Sequence, residues 1–268
     1  MSTNLIEPDI KALKPAEIKS FLQHSGFLQH SDQEATWYGL FIAVALIVVW
    51  AINLCALLAV NLQHIPGWAI PLAVAWQMFL YTGLFITGHD AMHGLVCPTN
   101  SRVNNFIGGL SVLLYGLFSY DELLRKHRLH HSYPATDRDP DFHDGEHKHP
   151  LLWYSYFMRR YWTWKQFMGL SIAYLVLHYG LHISADNLLL FWGIPPILSS
   201  AQLFYFGTYL THKEPENGYQ TSHRAQTNPL PTFWSFVTCY HFGYHHEHHE
   251  YPYIPWWQLP HIRKVTTG

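Results

Sequence analysis

Four long apolar stretches dominate the hydropathy pattern: Trp37–Leu62, Trp68–Gly88, Phe167–Ile183 and Leu188–Leu210. Each has roughly the 17–25 residues that an α-helix needs to cross a bilayer core. A fifth stretch, Val103–Tyr120, is apolar but shorter, and carries Gly108, Gly109 and Gly116. The positive charges are spaced around these segments. No Lys or Arg occurs between Tyr38 and Ser101, and none between Gln166 and Thr211. All 16 fall in the N-terminal tail, at Arg102, within Arg125–Lys165 or after His212. The tight connections near Ile65 and Ser184 have none, so the positive-inside rule puts both termini and the central loop on the cytoplasmic side. Arg102 and Arg125 flank Val103–Tyr120, so that segment should enter and leave on one face, as a re-entrant or interfacial helix. The expectation is an all-α membrane protein with four transmembrane helices arranged as two hairpins. Its single domain, 1–268, divides into a cytoplasmic tail (1–35), a first hairpin (37–88), a cap (89–166) containing the re-entrant 103–120, a second hairpin (167–210) and a C-terminal cap (211–268).

Composition agrees. Charged residues are 13% of the chain, about half the roughly 25% of a soluble domain. The 11 Trp and 17 Tyr suit membrane–water interfaces. A net charge of −2 gives no basic footprint for nucleic acid. Cys55, Cys97 and Cys239 are far apart and suggest neither a disulfide framework nor a thiolate zinc site. Met1–Asp32 lacks a basic segment followed by an apolar one, so no cleavable signal peptide is expected there.

The 21 His outnumber the 16 Lys and Arg together, and they cluster. The clusters are His89-Asp-Ala-Met-His93, His127-Arg-Leu-His130-His131 and His245-His-Glu-His248-His249. Residues three and four apart share a helix face with Cβ atoms about 5–6 Å apart. His89 and His93 can therefore converge on one ion, and each of the other boxes can present three imidazoles to a common centre. Eight imidazoles are too many for one ion, so two metals are implied. Imidazole suits iron, zinc, copper and nickel, and the lack of Cys in the boxes disfavours a structural zinc.

Other histidines read differently. His143, His147 and His149 lie in a polar loop and are expected at a solvated surface. His178 and His182 fall toward the far end of the third apolar stretch, where packing is the expected role. His241 and His246 flank the third box off its shared face. His223 is either an additional ligand or a loop contact. Ligating imidazoles usually donate their second N–H to a carboxylate or carbonyl, and Asp90, Asp137, Asp139, Asp141, Glu247 and Glu250 are placed to receive it.

The three boxes together resemble those of the membrane fatty-acid-desaturase superfamily. The runs Gly88-His-Asp-Ala-Met-His-Gly94, Asp139-Pro-Asp-Phe142, Phe206-Gly-Thr-Tyr209, His241-Phe-Gly-Tyr-His-His-Glu-His-His249 and Ile254-Pro-Trp-Trp-Gln-Leu-Pro260 resemble the bacterial-type β-carotene ketolases within it. The resemblance implies a four-span bundle whose cytoplasmic cap holds two irons, with one more ligand after the fourth span, here His212. The implied ligand set is then His89, His93, His127, His130, His131, His212, His245, His248 and His249. Stearoyl-type desaturases carry an Asn four residues before that last-span histidine, where this chain has Thr208. The implied activity is O2-dependent oxidation of the C4 methylene of a β-ionone ring to a ketone, taking β-carotene to echinenone and canthaxanthin through two hydroxylations and loss of water.

No dinucleotide fingerprint, haem-attachment motif or iron–sulfur spacing occurs, so the electrons are expected from an external, reduced ferredoxin-like donor. A fatty-acyl desaturase or hydroxylase and a carotenoid 3-hydroxylase share the boxes; pigment analysis separates them. A membrane metal transporter would need ionisable groups inside the spans, where this chain has few.

Overall fold

The computed structural model describes residues 32–267. Most of the expected tail, 1–35, lies outside the described residues, and Asp32–Ala35 already belong to the first helix. Every regular element among the described residues is helical apart from one isolated bridge, Thr227–Tyr244. The long first helix, α1, is Asp32–Ala59, followed by α2, Ala69–Met92. Next come α3, Ser101–Gly116, and α4, Tyr120–Ser132, a pair bent by 99° at a left-handed Leu117 (φ 56°). Then follow α5, Pro150–Tyr161, and α6, Trp164–Leu175, which a π-helical turn prolongs over Val176–Gly180. The last span, α7, is Ala185–His212, and the C-terminal part holds α8, Thr232–Cys239, α9, His245–Glu250, and α10, Leu259–Thr267.

Three of these helices, α1, α2 and α7, are long and apolar enough to cross a membrane, or up to four if the bent α3–α4 pair is one span. The third apolar stretch of the sequence differs from its expectation. It forms 12 residues of α-helix and 5 of π-helix, about 25 Å at 1.5 Å per residue, and is shorter than the other three. Large apolar side chains such as Phe41, Ile52, Leu72, Trp76, Ile172 and Tyr179 are exposed along α1, α2 and α6. A continuous apolar exterior of this extent fits lipid rather than water.

The bundle is organised around α2. A Cβ on Gly88 would lie 2.4 Å from Val112 Cγ1, and one on Gly108 2.5 Å from Ala91 Cβ. Only small residues let α2 and α3 approach so closely, as at other membrane helix interfaces. Polar contacts cross the helices: Thr82 Oγ1 is 2.9 Å from Ser199 Oγ and donates to Gln202 at 2.9 Å. At the far end, Asn187 donates to the carbonyls of Leu57, Leu58 and Val60 at 3.0, 3.2 and 2.8 Å. It satisfies the orphan acceptors at the end of α1, which lipid cannot do.

Two further features position the site. Asn104 donates to Ala91 O at 2.7 Å and accepts from the Val96 and Cys97 N–H groups, fixing the turn after α2. The π-helical turn Tyr205–Tyr209 sits immediately before His212; such bulges concentrate at functional sites because they re-aim side chains. The stretch 211–268 also returns to the flank of the bundle. Phe236 and Tyr240 pack on Phe79 with centroids 5.4 and 4.4 Å apart, about 15 Å along α2 from His89.

Candidate metal centre

Four chain segments deliver the histidines to one place. His89 and His93 stand at the C-terminal end of α2, His127, His130 and His131 on α4, His212 at the last position of α7, and His245, His248 and His249 on α9. The approach to α9 is sharp. Tyr240 and His241 are both left-handed (φ 48° and 61°), so the chain reverses between α8 and α9. Thr227 donates its hydroxyl to Glu247 from the opposite side.

The imidazoles sort into two groups: His89, His93, His127 and His248, and His130, His212, His245 and His249, with the ligand atoms of each group within 4.8 Å of one another. The boxes interleave. α4 gives His127 to one group and His130 to the other, and α9 gives His248 to one and His245 and His249 to the other. His131 lies between: its Nε2 is 3.1 Å from His248 Nε2, and its ring stacks on His249 at 4.2 Å.

Within the groups, Nε2 atoms stand close. His127 and His93 are 2.6 Å apart, His249 and His130 3.0 Å, and His249 and His245 3.1 Å. Neighbouring nitrogens each about 2.1 Å from one ion, at right angles, lie about 3.0 Å apart. His89 Nε2 and His212 Nε2 are buried with no hydrogen-bond partner, an arrangement native proteins avoid unless something else fills the role. Burial first, and neighbouring imidazoles second, push His245, His248 and His249 well below the ordinary histidine range, so they stay neutral and ligand-competent. Two all-nitrogen groups of this kind can hold two metal ions of the sort imidazole suits, iron among them.

Carboxylates and carbonyls orient the rings from behind. Both oxygens of Asp139 lie 3.0 Å from His130 Nδ1, which leaves Nε2 aimed into its group. Asp139 also accepts the N–H groups of Ala135 and Asp141, each at 2.8 Å. Burial opposes its charge, yet His130 and these bonds keep the Asp139 carboxyl below the usual range. Burial pushes Asp141 up to about 6, with Tyr161 donating to it. His212 Nδ1 donates to Arg224 O at 3.0 Å. Asp90 lies 3.7 Å from His89 Nδ1 and accepts the Trp256 N–H at 3.2 Å.

Other expected residues sit elsewhere. His223 belongs to neither four-histidine group and pairs with Glu250 at 3.3 Å. Asp137 is exposed, without a hydrogen bond or ion pair to a histidine among the described residues. His143, expected at a solvated surface, is buried against Trp153, its ring nitrogen accepting the Gly145 N–H at 2.9 Å. His147 faces Asp144 at 2.6 Å, and His178 bonds Ile183 O at 2.8 Å within its own helix end.

Several contributors had no reading of their own in the sequence. Arg160 donates to the carbonyls of Asp139 and Pro140 at 3.0 and 3.1 Å, fixing the loop that carries Asp139. Asn228 donates to Phe206 O at 2.8 Å and ties the segment before α8 to α7. Phe242 lies beneath both groups, 4.8 Å from His89 and 4.9 Å from His245 between ring centroids. A Cβ on Gly207 would come within 2.1 Å of the Phe242 ring, so that glycine makes room for it.

An apolar cavity of about 90 Å³ ends at His89, His127, His130 and His245, walled by Phe85, Leu203, Phe204 and Phe242. A larger one of about 740 Å³ between α3, α5, α6 and α7 shares Tyr115, Phe118, Met158 and Ser200 with it.

Helical spans ending in this histidine arrangement define a class. The chain belongs to the fatty acid desaturase family, whose model matches residues 66–175 and 147–267. Its similarities narrow the family to one branch, the carotene ketolases. It is 39% identical to a β-carotene ketolase of Paracoccus sp. over 242 residues, covering 88% of this chain and 96% of that protein. It is 42% identical to the β-carotene ketolase of a second Paracoccus strain over 72% of this chain and 79% of that one. It is also 41% identical over 245 residues to the zeaxanthin 4-ketolase of Chlamydomonas reinhardtii, 86% of this chain, and spans 54% of that longer relative.

Proposed function

We propose that this protein is a β-carotene ketolase, oxidising the C4 methylene of a β-ionone ring to a ketone with O2, so that β-carotene passes through echinenone to canthaxanthin. The observation that carries the proposal is the apolar cavity ending at members of both four-histidine groups. Two irons held by His89, His93, His127 and His248 and by His130, His212, His245 and His249, with His131 beside them, would supply the O2 activation that oxidation of the allylic C4–H requires.

The chain's own residues do the rest. Asp139 and the Arg224 carbonyl hold the His130 and His212 rings in orientation, with the Asp90 carboxylate 3.7 Å behind His89. Phe85, Leu203, Phe204 and Phe242 exclude water and offer a hydrocarbon ring only apolar contact. The ring enters from the bilayer through the larger cavity, past Tyr115 and Phe118. Each hydroxylation consumes one O2, two electrons and two protons and releases one water; the second leaves a gem-diol that loses water to give the ketone.

The Lys and Arg distribution supports a four-span topology with both termini and the site on the cytoplasmic side. The electrons would come from a reduced ferredoxin-like protein docking on that face. Activity should then fall as salt screens the encounter, and turnover with no added reductant would contradict a separate donor. The direct test is expression in cells that make β-carotene. An orange-red shift with echinenone and canthaxanthin in the extract is expected. Unchanged pigment with altered acyl chains would favour a desaturase, and a 3-hydroxylated product a carotenoid hydroxylase.

A further inference from the structure

The cavity below the histidines is apolar, but it is not free of polar groups. Tyr115, Asp141, Tyr161, Ser200 and Thr208 also line it. Tyr115 donates to Pro196 O at 3.2 Å and Ser200 to Ile197 O at 2.8 Å, so both are spent on the helix bundle. Asp141 and Tyr161 differ, because they bond each other across the wall: the Tyr161 hydroxyl donates to one carboxylate oxygen of Asp141. The second oxygen of Asp141 stands 3.7 Å from His130 Nδ1, too far for a hydrogen bond. The pair is rigidly held. The Asp141 N–H donates to Asp139 at 2.8 Å, Trp153 Nε1 donates to Asp141 O at 2.8 Å, and the adjacent Arg160 pins the same loop.

A hydrocarbon ring has no use for such a pair. Placing apolar substrate against a carboxylate and a phenol strips them of water without replacing its hydrogen bonds, a net cost. The balance reverses once the ring carries oxygen. The half-oxidised ring bears a hydroxyl on the reacting carbon, and that hydroxyl needs a partner in a dry cavity.

We propose that the Tyr161–Asp141 pair binds the hydroxyl of the half-oxidised ring and so holds the same carbon at the site for its second oxidation. The alcohol O–H donates to the carboxylate oxygen that Tyr161 leaves free, and the alcohol oxygen packs against the phenol. This inference rests on the ketolase reading, and the pair adds no atom to the balance. The first oxidation takes the methylene, O2, two electrons and two protons to the alcohol and one water. The second does the same to the gem-diol, which sheds water to leave the ketone. The electrons come from the external one-electron carrier already required.

The experiment compares wild type with Asp141→Asn, Tyr161→Phe and the exposed-loop control Asp137→Asn in carotene-producing cells and in purified membranes, with rates normalised to bound iron. In Asp141→Asn, which puts an NH2 where the alcohol O–H needs an acceptor, the ratio of 4-alcohol to ketone should rise about tenfold, the size expected for losing one buried hydrogen bond to a charged group. In Tyr161→Phe it should rise by less, because the acceptor stays and only the phenol is lost. With supplied 4-hydroxylated carotenoid, KM should rise in Asp141→Asn by more than it does with the hydrocarbon, while Asp137→Asn leaves the product ratio near that of wild type. A proportional fall in both steps of Asp141→Asn, an unchanged ratio there, equal accumulation of alcohol in Asp137→Asn, or an altered preference only for rings already carrying a 3-hydroxyl would each overturn the assignment. Wild type making no ketone at all would instead sink the ketolase reading beneath it.

Discussion

Replacing Asp139 by Asn tests whether the residues behind the histidines hold the metal. The Asp139 carboxylate receives three donors: His130 Nδ1 at 3.0 Å and the N–H groups of Ala135 and Asp141 at 2.8 Å. Asparagine keeps the shape but turns one acceptor into a donor, so at least one of the three N–H groups must face an NH2. Losing one buried bond to a charged acceptor costs about 1.5–3 kcal/mol. If His130 bears the loss, iron should be held roughly 10- to 100-fold less tightly, the usual consequence of removing a partner behind a ligand. The assay is iron per chain in purified protein during a graded chelator challenge, with turnover measured alongside. Asp137→Asn, at an exposed position in the same loop, serves as the comparison. Full iron retention and full turnover in Asp139→Asn would refute the reasoning.

Gly207→Ala should displace Phe242 and with it His89 and His245, costing about 1–3 kcal/mol of overpacking and most of the activity; wild-type turnover would show that the ring has room to move. Asn187→Leu removes three bonds to the end of α1 and should lower the apparent melting temperature in detergent with little change in initial rate, whereas an unaltered melting curve would speak against the cap. His130→Ala and His248→Ala should lose iron and activity together while still inserting into membranes, and His147→Ala, which faces Asp144 and Tyr156 away from both groups, should lose neither.

Much of the site was readable because its chemistry is repetitive. Box spacings of three and four residues put imidazoles on one helix face, and the structure brings all the expected box histidines within a single cluster. How they divide could not be read, since periodicity says which residues share a face of one helix but not which face meets which across four segments. Hence His127 and His130, three apart on α4, serve different groups. Phe242 and Gly207 stood inside recognisable runs, yet their contact depends on how α7 and the turn before α9 pack. Hydropathy located α1, α2 and α7 well because long apolar runs are its strongest signal. At Phe167–Ile183 it marked a helix that is shorter than the others, beginning at Trp164 and loosening into a π-turn that ends at Gly180. His143 was misjudged because a polar loop can still tuck one ring under a tryptophan.

The most direct test is iron stoichiometry in purified, catalytically competent protein. Two irons per chain are predicted, one for each four-histidine group. Full activity with a single iron, or with none, would contradict the account.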